Sequence, residues 1–173
     1  MRLDEIQPLM RRLRRGPLHD RASETAVAGG QEVVHRVLPH RHPFLFVDRI
    51  VAYDREAGTM LSERLVPEDD PVFAGHFPGR PLFPAALQIE AIGQATLCLW
   101  NVLENGGEPN EAGLVVTKVE HAQFLHPVLP GDRMQLHATI VYADDLVVSA
   151  AGQVIVGDTL CAALIIKVSI VDG

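Results

Sequence analysis

"PAALQIEAIGQATLCLWNVL", residues 84–103, is apolar around nearly its whole circumference when it is drawn as a helix. Alanine, leucine and isoleucine fall on every face, a pattern that predicts a helix buried on all sides and not one laid on a surface. Pro84 suits the first turn of such a helix, and Gly106 and Gly107 supply its stop. A single buried helix needs other elements to surround it.

Strand-forming segments flank this helix on both sides. They are rich in β-branched residues and are separated by proline and glycine. The predicted strands are residues 32–38, 45–54 and 59–66 before the helix and residues 113–124, 133–143, 146–156 and 160–171 after it. Apolar and polar side chains alternate most regularly from Met134 to Ile140, as in a half-buried strand. The order predicts an α+β fold, an antiparallel β-sheet wrapped around one long buried central helix.

The N-terminal residues form a separate segment. Leu3, Ile6, Met10 and Leu13 recur at helical spacing, which predicts an amphipathic helix that ends at Gly16. Residues 19–31 have the composition of a linker. We therefore divide the chain into an N-terminal extension, 1–30, and one domain, 31–173. We expect the helix to cover its own domain or a sister subunit; docking a partner is the alternative.

Charge and composition exclude several classes of protein. The 173 residues carry a net charge of −7, which argues against a nucleic-acid binder. The charge is uneven, because residues 1–21 hold six arginines against three acidic residues, or +3, which leaves −10 for the rest. No apolar stretch is long enough to span a bilayer, and Asp4 and Glu5 stand where a secretory signal would become apolar. We expect a cytoplasmic protein.

Metal and cofactor sites find little support in the sequence. Cys98 and Cys161 lie in apolar segments without metal-ligand spacing, and no nucleotide-binding fingerprint is present. His40 and His42 could share one face of a strand as metal ligands, but no third ligand has suitable spacing. We therefore expect neither a metal nor a cofactor.

Two polar residues in the apolar region, His76 and Glu90, suggest acid–base chemistry. Glu90 and Gln94 lie four apart on one helix face, and burial of a carboxylate favours its neutral form more strongly than a helix dipole opposes it. His76 lies in a Gly-Pro turn, where a purely structural histidine is the alternative. A neutral imidazole, a protonated carboxyl and the backbone N–H groups of residues 85–87 would together suit proton abstraction beside a carbonyl with loss of a β-substituent.

Three motifs and this glutamate carry a resemblance to a known family. "LPHRHPFLFVDRI" at 38–50, "GHFPGRPLFPAAL" at 75–87, Glu90 and "FLHPVLPGD" at 124–132 resemble the β-hydroxyacyl-acyl carrier protein dehydratases of the hot-dog fold. The resemblance extends over about residues 32–170. It implies that the chain dehydrates 3-hydroxyacyl thioesters to trans-2-enoyl thioesters in fatty-acid or specialised polyketide-type biosynthesis.

The resemblance also implies roles for individual residues. His76 takes the C2 proton and Glu90 assists departure of the 3-hydroxyl; a glutamate there is typical of the branch that does not isomerise the double bond. His76 would face Glu90 of a sister subunit in a homodimer or a trimer of dimers. The substrate would be a 3-hydroxyacyl chain linked by phosphopantetheine to an acyl carrier protein. The substrate-binding candidates are Phe77, Gly79, Phe83, Ala85, Ala86 and Gln94.

The chain departs from the family pattern at several positions. Ala85 replaces a glycine, His42 replaces a common tyrosine, and Leu125 and His126 replace basic residues. An acidic carrier protein would then depend on a local cationic patch, for which the candidates are Arg80, Lys118 and Arg133. The intact pair of His76 and Glu90 favours the dehydratase, while these departures keep open the alternative function, a catalytically weakened hot-dog protein that binds acyl carriers or partners a dehydratase. A thioesterase on the same fold is a further enzymatic alternative.

Overall fold

The computed structural model describes residues 3–18, 25–27, 30–108 and 113–171. Its elements, in chain order, are α1 (Leu3–Leu13), β1 (Thr25–Ala26), α2 (Gln31–Val37), β2 (Arg49–Asp54), β3 (Thr59–Leu65), a 3-10 turn (Pro71–Ala74), α3 (Ala85–Asn105), β4 (Gly113–Phe124), β5 (Arg133–Ala143), β6 (Val147–Val156) and β7 (Thr159–Val171). No helix within these residues is long and apolar enough to cross a membrane.

The strands described form one antiparallel sheet. Their order is β1-β2-β3-β5-β6-β7-β4, so β4, which precedes β5 in the sequence, lies at the far edge beyond β7. The three longest neighbouring pairs are β5–β6, β6–β7 and β7–β4, and they provide the wide surface against which α3 packs.

Close approach of α3 to the sheet depends on a glycine. Gly152 of β6 lies directly beneath Ile92 of α3, and a Cβ atom at position 152 would collide with the Ile92 side chain and lie 3.2 Å from the His137 carbonyl oxygen. Ile92, Ala95, Cys98 and Leu99 of α3 are all fully buried. The absence of a side chain at position 152 therefore sets the distance between helix and sheet.

The predicted central helix and the four predicted strands that follow it are confirmed. α3 begins one residue after Pro84 and ends before Gly106, which adopts the left-handed conformation. Burial of α3 is less complete than predicted, however. The stretch from Ala91 to Leu99 is buried apart from Gly93, whereas Ala86 is exposed and Glu90 is half-buried. The prediction of a helix buried on all sides is therefore wrong at the start of α3, where only Gln88 among residues 85–90 is buried.

The predicted strand at 32–38 is wrong, since those residues form α2. Val34 and Val37 are buried on one side of this short helix, and helical spacing outweighs the β-preference of the valines. The predicted strand at 45–54 is shortened to Arg49–Asp54, because residues 45–48 form a loop that packs on α3.

The N-terminal helix lies on the face of the sheet opposite α3. Ile6, Met10 and Leu13 pack on Ala151, Ala163 and Ile165 of β6 and β7. The Gln153 amide donates to the carbonyl oxygens of Leu13 and Gly16 and accepts from Leu18 N–H. The expectation that the helix covers its own domain is confirmed. Of the predicted linker, residues 19–24 and 28–29 lie outside the described residues, and Thr25–Ala26 form β1.

Candidate active site

His76 lies in a tight turn that leads into α3. The Leu82 N–H donates to the His76 carbonyl oxygen at 3.0 Å, and the Phe83 N–H donates to the Val128 carbonyl oxygen at 2.8 Å. Gly79 adopts a φ of +75°, which glycine tolerates at no steric cost, so the turn needs glycine there. These bonds fix the turn against the 125–132 loop and hold His76 at the start of α3.

The environment of His76 selects one tautomer. Its Nδ1 lies 2.8 Å from the Leu82 carbonyl oxygen, which can only accept a hydrogen bond. Nδ1 must therefore carry the proton, and the lone pair of the neutral ring resides on Nε2. The Phe77 ring stacks on the imidazole with a centroid separation of 4.0 Å and restricts its rotation. His76 is thus prepared to accept a proton at Nε2.

The N-terminus of α3 follows the His76 turn directly. The N–H groups of Leu87 and Gln88 both donate to the Pro84 carbonyl oxygen. The N–H groups of Ala85 and Ala86 have no acceptor among the described residues, as expected for the first turn of a helix. They remain candidates for polarising a thioester carbonyl, and the methyl group of Ala85 does not remove either donor.

Glu90 is held by Gln94, which also anchors a loop. Gln94 Nε2 donates to Glu90 Oε1 at 2.8 Å and to the Phe44 carbonyl oxygen at 3.0 Å, while Gln94 Oε1 accepts from Phe46 N–H at 2.7 Å. All three bonds use one side chain that is 1% exposed. Gln94 therefore positions Glu90 and the 44–46 loop together, and the direct substrate contact expected of it stays a prediction.

Glu90 opens into a pocket of about 410 Å³ beside the edge strand β4. His40 enters this pocket with its Nε2 3.6 Å from Glu90 Oε1. The other lining residues are Phe44, Gly93, Gln94, Leu97, Val115, Val116 and Val168. The Glu90 side chain is 28% exposed, so the prediction that it is buried is wrong for the single chain. Val115 and Val116, which border the same pocket, are exposed as well.

The structure does not join His76 to Glu90 within one chain. His76 contacts Phe77 and Leu82, whereas Glu90 contacts Gln94 and His40, and the residues that line the Glu90 pocket do not include His76. The approach of His40 to Glu90 was not predicted. The sequence does place His40 in "LPHR", just before the loop that Gln94 anchors. Residue spacing alone, however, does not give the distance between His40 and Glu90.

The remaining candidates fall into different environments. Phe77 is 49% exposed beside His76, as a substrate contact requires. Phe83 is only 3% exposed and packs edge-on to Phe46, so it belongs to the core. His42 is exposed. Among the described residues no cluster of histidine, cysteine and carboxylate side chains could hold a metal ion.

The three cations proposed for carrier docking are not brought together. Lys118 lies on β4 and Arg133 on β5, which are separated by β6 and β7 and hence by about 14 Å. Lys118 binds Glu120 at 2.8 Å and holds the pKa of that carboxyl below its ordinary value. Arg133 lies 3.4 Å from Glu63, which also binds Arg49. Arg80 is exposed on the His76 turn.

An antiparallel sheet that packs on one long helix, with a histidine turn at the start of that helix, defines a hot-dog protein. Solved structures support this fold. The dehydratase heterocomplex ApeI:P from Xenorhabdus doucetiae superposes with a TM-score of 0.64 at 16% identity, over 79% of this chain and 89% of that one. The TT0310 protein from Thermus thermophilus gives 0.54 at 15% identity, over 75% and 98%. At these identities the likeness concerns the fold alone.

The sequence comparison is more specific. The FabA-like domain model matches residues 38–165, and the chain belongs to that family. A 3-hydroxyacyl-[acyl-carrier-protein] dehydratase FabZ of Anaeromyxobacter sp. (strain Fw109-5) is 38% identical over 76% of this chain and 84% of its own length. The protein of the same name from Campylobacter concisus (strain 13826) is 33% identical over 80% and 95%. The resemblance found in the sequence is confirmed.

Proposed function

We propose that this chain is a dehydratase that converts 3-hydroxyacyl thioesters, carried on acyl carrier protein, to trans-2-enoyl thioesters in fatty-acid biosynthesis. The observation that carries the proposal is the hydrogen bond from His76 Nδ1 to Leu82, because it leaves Nε2 as a base in a turn that leads into the Glu90 helix. The names of the FabZ relatives, at 33–39% identity, support the same reaction.

In the proposed reaction the C2–H bond breaks and its proton passes to His76 Nε2. The electron pair forms the C2–C3 double bond, and the C3–O bond breaks as the hydroxyl takes a proton from Glu90 and leaves as water. The N–H groups of Ala85 and Ala86 stabilise the negative charge that develops on the thioester oxygen. Transfer of a proton from His76 to Glu90 restores the starting state.

The two groups would meet across a homodimer. Three observations on the described residues support this assembly: His76 and Glu90 make no contact within one chain, the start of α3 is only partly buried, and β4 lies at the edge of the sheet. Val115, Val116 and Val119 on that edge are 39–50% exposed, unusual for valines unless a second surface covers them. A sister subunit at the β4 edge would enclose the Glu90 pocket and supply the missing histidine.

The direct test is the conversion of 3-hydroxybutyryl thioester to its 2-enoyl product. We expect His76→Ala and Glu90→Gln each to lower turnover about 10²–10⁴-fold, the usual worth of a positioned acid or base. Absence of product with the wild-type chain would favour the alternative of a non-catalytic hot-dog protein. Wild-type turnover in either variant would remove that residue from the mechanism.

Subunit mixing tests the assembly. If His76 and Glu90 come from different subunits, co-refolding His76→Ala with Glu90→Gln at equal amounts yields hybrid dimers with one intact site, and activity returns to about a quarter of wild type. Each variant refolded alone is the control. No recovery in a mixture that forms hybrid dimers would contradict the shared site.

A further inference from the structure

The outer side of α1 and the residues just after it carry four arginines. Arg11, Arg12, Arg14 and Arg15, which we call the arginine surface, are all exposed, and none forms an ion pair or hydrogen bond through its side chain with any described residue. Asp158 borders the same pocket as Arg14 and Arg15 but does not pair with them. Like charges this close repel one another, so the arginine surface favours an oppositely charged partner.

The apolar side of α1 is already occupied. Ile6, Met10 and Leu13 are 8%, 4% and 0% exposed because they pack on the sheet. An amphipathic helix that enters a lipid surface must present that side outward. Only the charged side of α1 remains available, so a partner would have to recognise the arginine surface by charge.

Two residues of the arginine surface, Arg14 and Arg15, lie at the same end of the sheet as the His76 turn, whereas Arg12 borders a pocket with Asp54 and Thr139. Arg14 and Arg15 border the β6–β7 turn at Gly157 and Asp158. At the start of β7, the Cys161 carbonyl oxygen accepts from the N–H groups of residues 125 and 126. The same loop continues to Val128, whose carbonyl oxygen accepts from Phe83 N–H. Phe83 follows Leu82, the residue whose carbonyl oxygen binds His76 Nδ1. A continuous path of contacts thus connects the C-terminal end of α1 to the catalytic turn, and the β4 edge stays free for a sister subunit.

The charge of the rest of the chain adds selectivity. Residues 22–173 carry −10, and the Lys118 and Arg133 side chains are paired with carboxylates. An acidic protein would be repelled by most of this surface and attracted where exposed cations lie close together, as in the arginine surface. Electrostatic attraction of this kind fixes where an encounter begins.

We propose that the arginine surface is the docking site for the acidic face of an acyl carrier protein, which presents its acyl chain to the His76 turn at the same end of the sheet. The proposal rests on the proposed function for its substrate, but it assigns the docking to α1, which lies outside the 38–165 family match. Because α1 binds the sheet through Gln153 and its apolar side, the surface is held at a fixed position relative to the site.

The test replaces all four arginines by glutamine and compares two substrates. With 3-hydroxybutyryl linked to an acyl carrier protein of net negative charge, we expect KM to rise about tenfold or more, while kcat stays unchanged. With the same acyl group on pantetheine alone, we expect no change in either constant. KM for the carrier substrate should also rise with salt in the wild type and lose most of that dependence in the variant.

Two control variants separate charge from structure. Replacement of the same four residues by lysine keeps the charge and should retain most of the affinity. Arg36→Gln removes an exposed arginine on α2 and should change nothing. Circular dichroism and the melting temperature verify that α1 stays docked. Equal KM for wild type and the glutamine variant, or an equal change with both substrates, would overturn the proposal.

A binding measurement keeps this inference separate from the proposed function. Fluorescence anisotropy with a labelled, unloaded carrier protein needs no turnover, so docking is tested even if the wild type dehydrates neither substrate. We expect the glutamine variant to bind at least about tenfold more weakly. If carrier binding is unaffected and the variant instead loses binding to a DNA duplex or to anionic vesicles, the assignment of the partner is wrong.

Discussion

Gln94 provides the sharpest test of how the site is built, because one buried side chain joins the catalytic glutamate to the 44–46 loop. Gln94→Leu nearly keeps the side-chain volume but removes all three hydrogen bonds. It leaves the buried Phe46 N–H and the part-buried Phe44 carbonyl oxygen without partners, and Glu90 can regain a partner from water. Unsatisfied buried groups cost about 1–3 kcal/mol each, partly offset by the added apolar contact.

We therefore expect Gln94→Leu to lower the free energy of unfolding by about 2–4 kcal/mol. For a chain of this length that corresponds to a fall in melting temperature of about 5–15 °C. Dehydration should fall as well, because Glu90 loses the donor that orients it. The measurement is denaturant unfolding followed by circular dichroism, at one fixed protein concentration since the chain is proposed to dimerise.

Gln88→Leu is the matched control on the same helix. Gln88 is 3% exposed and its Oε1 has no hydrogen-bond partner among the described residues, so replacing the amide by a hydrocarbon should cost less than about 1 kcal/mol. Glu90→Gln should separate the two effects, because we expect it to lower turnover strongly while it changes the free energy of unfolding little. Wild-type stability in Gln94→Leu, or a loss as large in Gln88→Leu, would refute the idea that Gln94 anchors the loop.

Further substitutions test the packing and the helix start. Gly152→Val should destabilise the fold by about 1–3 kcal/mol, since the added side chain meets Ile92; denaturant unfolding checks this, and a neutral result would mean that α3 can move away. Ala85→Gly should leave the fold intact and leave turnover of straight-chain substrates unchanged or higher; collapse of activity in steady-state assays would contradict a backbone donor at this position. Burial raises the pKa of Cys98, so a thiolate reagent should label it only after unfolding, as mass spectrometry can report.

Most of the fold could be predicted because its decisive segments are long and regular. The helix at 84–103 and the strands after it are long segments whose residue patterns fit only one type of secondary structure. The prediction for residues 32–38 failed because the burial of Val34 and Val37 on one side of a helix, not residue preference, decides the conformation. Short segments rich in valine do not reveal which of these effects prevails.

The candidate site was predictable in its residue types but not in its geometry. The sequence indicates His76 and Glu90 by motif and spacing, yet the Leu82 carbonyl that selects the histidine tautomer belongs to a residue with no chemical signature. Glu90 was expected to be buried because its helix is apolar. Its side chain is instead 28% exposed in a pocket beside β4, an edge strand of the described sheet, and strand order is a long-range property that local patterns do not encode.

The order of the strands also affects how the chain completes its folding. Within the described sheet β4 pairs only with β7, the last strand, so residues 113–124 must wait until residues 159–171 are available. During synthesis both sides of β4 lack a neighbour, and its exposed valines are then a surface for self-association. The pairing of β4 with β7 joins two strands that are separated in the sequence by β5 and β6, and contacts of long sequence separation slow folding. The sheet is therefore complete only once β7 has been synthesised, and a chain shortened within β7 would leave β4 without its partner and one side of β6 unpaired.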